Sequence, residues 1–249
     1  MIVRALFSLM GAAALLAALA MSGCGSGEGL TLKQMVGAAS GPTPKEQLAM
    51  AFDSDDADHR REGVLMLSSH QWGLQEPYLK GYAMLLESDE DPTVRAAAAT
   101  ALGRSKAPGY LETLAAALSD PVPAVQWDAA VALDSLYGQA AIAPLKAAAR
   151  EDTSADVRAA SAWALRHYQR EDVADVLLAC LSDESFAVQH QARMAMVELA
   201  GEDFGYDRAA WQNVRDQLVA GPAHARSHPW WKWFGRDESP EPSVDESLD

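Results

Sequence analysis

Cysteine is nearly absent: the chain has 249 residues and only two cysteines, Cys24 and Cys180. Two isolated thiols give neither a disulfide framework nor the ligand spacing of a zinc site. β-Branched residues are sparse between positions 44 and 220, while Ala and Leu are plentiful, which disfavours sheet and favours helix. Basic residues are outnumbered, 20 Lys and Arg against 35 Asp and Glu, a net charge of −15. Nucleic-acid binding needs a basic surface that displaces counterions, so this balance excludes it as a partner class. It disfavours electrostatic attraction to anionic headgroups for the same reason. The signatures of common catalysts are missing too: no Gly-x-Ser-x-Gly, no His-Glu-x-x-His and no phosphate loop. Asp203-Phe204-Gly205 spells a kinase triplet, but no Gly-rich loop or catalytic-loop motif accompanies it. His224 and His228 have helical metal-pair spacing, yet no Cys or carboxylate close by completes a site, and Pro229 ends the helix. These absences argue for a protein that is not an enzyme and uses no cofactor and no metal.

What is present begins with the first 24 residues. Arg4 is the only charge before Glu28, and Ala5 to Met21 is almost wholly apolar. Small residues follow, in Met21-Ser22-Gly23-Cys24. A basic start, an apolar core and small residues at the cut have the pattern of a secretory signal. The four residues resemble the lipobox of bacterial lipoproteins, with Met21 where that family prefers Leu. The resemblance implies cleavage after residue 23, lipidation of Cys24 and export to the cell envelope. Gly25 in place of Asp leans the destination toward the outer membrane if the host has two. Two or three acyl chains make a stable anchor, because each buried CH₂ contributes roughly 0.8 kcal/mol. Without Arg4 the mature chain carries 35 acids against 19 bases. Residues 24–42 are rich in Gly and Ser and are expected to form a flexible tether.

The body of the chain repeats itself. Asp89-Glu-Asp-Pro-Thr-Val94-Arg95-Ala-Ala-Ala98 is followed by Asp120-Pro-Val-Pro-Ala-Val125-Gln126-Trp-Asp-Ala129. Asp152 through Ser161 and Asp183 through Ala192 continue the series, and His59 through Gly63 is a degenerate first copy. The valine column, with His59 in the first copy, steps by 35, 31, 32 and 31 residues. The valine and an apolar residue eight positions on share one helical face, so both should point to the core. Four after the valine the residue is always small: Gly63, Ala98, Ala129, Ser161, Ala192. That lets a neighbouring helix approach closely. Ala97, outside the Val94–Leu102 stripe, should be less constrained. The aspartate five before the valine should supply a cap or turn oxygen where a helix starts. A second apolar helix lies between copies, and such pairs bury their faces only by stacking. Thr43-Pro44-Lys45-Glu46 is a capping box that should open the first helix.

The pattern resembles HEAT repeats, in particular the short type also called phycobilisome-lyase-like. The resemblance implies an all-α fold, a right-handed α-solenoid of about five helix pairs over residues 43–200. In the family the residue after the valine is usually Arg, in a ladder with the aspartates. Here the column reads Arg60, Arg95, Gln126, Arg158, Gln189, so the ladder should break at two rungs. Residues 201–236 should cap the stack, with Phe204, Tyr206 and Trp211 over its open end, and 237–249 should be a disordered acidic tail. The aromatic run at 230–234 could fold back on the last helices or meet a membrane or partner.

In HEAT-like repeats the helix opening with the valine lines the concave side. Positions two and six after the valine should then face the groove. They read Arg61, Ala96, Trp127, Ala159, His190 and Leu65, Thr100, Val131, Trp163, Met194. A solvent-facing column of an acidic protein should be charged, and these are mostly apolar. Trp127, Val131, Trp163 and Met194 are therefore the expected seat of another protein, unless the helices are tilted and the tryptophans pack between repeats. The resulting reading is a membrane-tethered, protein-binding scaffold of the cell envelope. The alternatives are an accessory protein or enzyme of bilin-type cofactor attachment, and a purely structural envelope lipoprotein.

Overall fold

A computed structural model describes residues 41–213 and Arg215 of the chain. The leader, Cys24, most of the tether, His224, His228, the aromatic run at 230–234 and the acidic tail lie outside the described residues.

The first helix, α1, runs Pro44–Asp53 and starts as its capping box requires: the Thr43 hydroxyl accepts the Glu46 N–H, and the Glu46 carboxylate accepts the Thr43 N–H at 2.7 Å. Its partner is α2 (Ala57–Ser68). Four more pairs follow: α3 (Tyr78–Ser88) with α4 (Pro92–Ser105), α5 (Leu111–Ala117) with α6 (Pro123–Ser135), α7 (Ile142–Glu151) with α8 (Ala155–Ala164), and α9 (Glu171–Cys180) with α10 (Phe186–Ala200). A short α11 (Arg208–Asn213) ends the described part. Among the described residues there is no strand, and the fold is an α-solenoid of five helix pairs.

The even-numbered helices α2 to α10 stack on one another, and so do the odd-numbered α3 to α9. The even-numbered row is the more closely packed, as the inner row of a HEAT-like stack is expected to be. The small column explains the closeness. Ala98, Ala129, Ser161 and Ala192 are fully buried. Gly63 meets α1 so tightly that an added Cβ would lie 2.4 Å from the Ala51 nitrogen. The core stripe is filled as the spacing demands: Val94 with Leu102, Val125 with Leu133, Val157 with Leu165 and Val188 with Met196 are all at 0% exposure.

Two expectations need correcting. His59 stands in the valine column but is exposed, because among the described residues no helix pair precedes α2 to cover that face; Val64 and Leu67 carry the core there instead. Ala97 is buried rather than peripheral. The physical reason is the seam between inner helices, which adds a second buried face three positions after the valine. The Thr100 hydroxyl of α4 donating to Asp128 of α6 at 3.2 Å marks that seam. As a result α4 is buried nearly all round, from Ala96 to Ala99 and from Ala101 to Gly103.

The repeat aspartates serve as turn oxygens two residues before the helix cap. Asp89, Asp120, Asp152 and Asp183 accept the N–H of Asp91, Val122, Ser154 and Ser185 at 2.8–2.9 Å. Three of them accept an arginine as well. Arg60 reaches Asp89, Arg95 reaches Asp120 and Arg158 reaches Asp183, each through Nε and Nη2 at 2.7–2.9 Å. Each of these arginines also donates to backbone carbonyls five and six residues earlier. Gln126 and Gln189 keep only a backward contact, to the carbonyls of Asp120 and Asp183 at 2.8 and 2.7 Å. The ladder breaks at these two rungs, as the column predicts.

Candidate partner-binding groove

Residues two and six after the valine lie one helical turn apart, so each inner helix turns both toward the groove. On α6 both are large and exposed: Trp127 at 43% and Val131 at 42%. On α2 the sixth position, Leu65, is 40% exposed. Ala96 and Ala159 are buried at the floor, and Thr100, Trp163, His190 and Met194 are half-buried. Of the four expected contact residues, Trp127 and Val131 form one open apolar patch on α6. Trp163 and Met194 occupy the same column on α8 and α10 but are partly covered. Trp163 packs against the core on one side, and the Arg166 guanidinium lies 4.0 Å from its ring centre on the other.

Polar residues that the repeat pattern does not single out share this face. Arg166 holds Asp134 of α6 through Nη2 at 3.0 Å and through Nη1, and His167 Nε2 lies 3.1 Å from the same carboxylate. Burial pushes the Asp134 carboxyl up, but His167 and Arg166 outweigh it and hold the group below the usual range. The exposed Tyr137 ring stacks on His167 with centroids 4.4 Å apart. Asp128 has the opposite balance: burial raises it, and the Thr100 hydroxyl opposes that only in part. A cleft of about 410 Å³ opens beside it, lined by Thr100, Arg104, Lys106, Asp128, Val131 and Ser135 among others. A signal for Asp128 did exist in the sequence. Its column reads Glu62, Ala97, Asp128, Ala160, Gln191, so a carboxylate stands where both neighbouring copies have Ala.

The open end of the last pair is covered in part by the segment after it. Trp211 is fully buried, its indole N–H donates to the Gly205 carbonyl at 2.9 Å, and the Phe204 ring meets it edge-on at 4.9 Å. Tyr206 stays 40% exposed, against Phe186, His190 and Arg193 of α10. Cys180 is buried, its thiol donates to the Ala149 carbonyl, and burial pushes its pKa up to about 12, which is the setting of a packing residue. Among the described residues no group of three or more His, Cys, Asp or Glu could hold a metal, and no helix is long and apolar enough to cross a membrane.

Known proteins share this architecture. A family model described as HEAT repeats matches residues 82–166 and 144–218, together more than half of the chain. The complex of CpcE and CpcF, the phycocyanin lyase of a Nostoc species, is similar at 22% identity over 81% of this chain and 78% of that one, with a TM-score of 0.57. The Escherichia coli protein YibA is similar at 21% identity over 68% of this chain and 66% of its own, with a TM-score of 0.53. A designed armadillo repeat protein in complex with the peptide (KR)4 is similar at 17% identity over 72% and 90%, with a TM-score of 0.52. At these identities the likeness is one of fold. No curated protein matches the chain.

Proposed function

We propose that this chain, which belongs to the HEAT-repeat family, is a non-catalytic scaffold that is tethered to the cell envelope through lipid on Cys24 and holds another protein in its concave groove. The observation that carries the reading is the open pair Trp127 and Val131. Leaving some two fifths of a tryptophan and of a valine in water one turn apart, at 43% and 42% exposure, forgoes burial worth roughly 25 cal/mol for every Å² of apolar surface, and Trp is enriched where interfaces concentrate their energy. The core stripe and the small column of the stack are complete without either side chain. A repeat protein of similar fold holds a peptide, so a groove of this architecture can accept a segment of another chain.

The groove is tested with a photo-cross-linking residue placed at Trp127, at Val131 and, as a control, at Met84 on the outer helix α3, which is 67% exposed. One discrete adduct from 127 and 131, none from 84, is the expected result. Adducts of equal yield from all three positions would refute the groove. The tether is tested separately: wild type should incorporate labelled fatty acid, and Cys24→Ser should not. Equal fractionation of both, with no label in either, would remove the membrane part of the proposal. The bilin-attachment alternative draws on a likeness of fold alone, and it would require the purified chain to bind or transfer a bilin.

A further inference from the structure

We propose that the partner segment presents a lysine or arginine whose cationic head seats on Asp128 while its stem lies against Trp127 and Val131. This rests on the scaffold reading and narrows the class of partner.

Asp128 is the carboxylate of the groove without a counter-ion. Its hydrogen-bond partner among the described residues is the neutral hydroxyl of Thr100, 3.2 Å away, and no described Lys, Arg or His is within ion-pair distance. Four other partly buried carboxylates of this row are matched, Asp89 by Arg60, Asp120 by Arg95, Asp134 by Arg166 and Asp183 by Arg158, while Asp152, at the broken rung, accepts a backbone N–H alone. A partly desolvated carboxylate without a cation is costly and gains from one supplied by a ligand. Space for it exists, because Asp128 lines the 410 Å³ cleft together with Val131.

The chain itself holds a cation between a tryptophan and a carboxylate elsewhere, the two there coming from different helices. One repeat further on, the Arg166 guanidinium lies over the Trp163 ring at 4.0 Å and at the same time pairs with Asp134. Tryptophan, cation and carboxylate there make a closed set. Trp127 and Asp128 provide the tryptophan and the carboxylate on α6, with the ring 43% exposed. The apolar stem of a long basic side chain suits the Trp127–Val131 surface, and its head suits the seam carboxylate. Arg104 and Lys106 stand in the same cleft and make no ion pair among the described residues. They disfavour a run of cations and so select a segment with a single basic residue at this point.

The test reads the indole resonance of Trp127, assigned by its loss in Trp127→Phe, while the full chain is titrated with N-acetyl-arginine amide and, separately, with N-acetyl-citrulline amide. The two probes have nearly the same shape and differ in charge. A saturable shift with the arginine probe, at least about fivefold weaker with citrulline, is expected. Asp128→Asn keeps the size of the side chain and should weaken the arginine response by at least about fivefold. Asp128→Glu should retain most of it. Glu112→Gln, an exposed carboxylate on α5, removes the same charge elsewhere and should change nothing. Equal responses to both probes in wild type, or equal loss from Asp128→Asn and Glu112→Gln, overturns the proposal. So does an indole that moves on Asp128→Asn as far as on ligand binding: in that case a second copy or a basic segment of the same chain already fills the seat. Cross-linking from position 127 retained alongside a failed titration would leave the scaffold reading intact. Loss of both would remove both.

Discussion

Gln126→Arg should restore a rung that the stack lacks, and the intact rungs set its size. In Arg95, Nη1 donates backward to the Asp89 carbonyl at 2.9 Å, while Nε and Nη2 hold the next aspartate, Asp120, at 2.7 and 2.9 Å. The pair is well shielded, with side-chain exposures of 11% and 8%. Gln126 makes the backward bond at 2.8 Å, but its Oε1 is buried with no partner, and Asp152 ahead of it accepts only a backbone N–H. Removing the orphaned acceptor is worth about 1–3 kcal/mol, and hydrogen bonds to a charged group add about 1.5–3 kcal/mol. Desolvating the guanidinium and Asp152 offsets much of this, several kcal/mol per ion. The expected net gain is about 1–2 kcal/mol, which for a unit of this size raises Tm by roughly 2–8 °C. The reverse change, Arg158→Gln, leaves Asp183 as Asp152 already stands, holding a backbone N–H alone, and should cost a similar amount, about 1–2 kcal/mol. Urea and thermal denaturation followed by circular dichroism measure both. A Gln126→Arg chain no more stable than wild type would mean that these pairs do not join the repeats, and the reasoning would fall.

Three further outcomes follow from the packing and the ladder. Ala129→Leu and Ala97→Leu should each cost about 1–3 kcal/mol, because both sites are buried, while Ala187→Leu, exposed on α10, should be nearly neutral; Tm of the three variants decides. Gly63→Ala should destabilise, although helix propensity alone predicts a gain of about 1 kcal/mol, since its Cβ would strike the α1 backbone; a raised Tm would refute the close approach. The Asp183 carboxyl is held below its ordinary range by Arg158, and Asp120, which burial pushes up, is brought below it by Arg95 and the Val122 N–H. Depressed folded-state values contribute stability that is complete above about pH 4 and lost as pH falls through them, so the urea midpoint should drop below about pH 4, and less steeply in Arg158→Gln.

The repeat columns made most of the fold legible, because each physical demand recurs at a fixed spacing. The valine and leucine stripe, the small position and the two broken rungs all lie where the spacing puts them. Ala97 was not legible for a plain reason: alanine occupies core, seam and surface alike, so its identity carries no contrast. His59 shows the opposite limit, since the register was right but the burial of a column depends on a neighbouring repeat being there to cover it. At the groove, Trp127 and Val131 stand out as apolar residues in columns that face water. The cover over Trp163 depends on Arg166 meeting Asp134, 32 residues away, and no single repeat reveals such a pairing. Asp128 was readable only as a departure from Ala in its column, a signal that needs the seam to be known before it has meaning.

The broken rung and the groove are two aspects of one joint. Nearest-neighbour contacts hold a solenoid together, so each joint between inner helices must supply its own tie. Between α4 and α6 the tie is Arg95 to Asp120, and between α8 and α10 it is Arg158 to Asp183, both at the helix starts. Between α6 and α8 that position holds Gln126, which makes no forward pair. The ion pair of this joint lies instead at the helix ends, where Asp134 of α6 meets Arg166 and His167 just after α8. Moving the tie from the ladder to the groove brings the guanidinium over Trp163 and closes that half of the aromatic surface. Trp127, also on α6, has no such cover: its neighbour Asp128 belongs to the next joint, the seam with α4, whose facing residue is a threonine. A cation at position 100 would close this half as well. With Thr100 there, the seat stays open to a group from outside the chain.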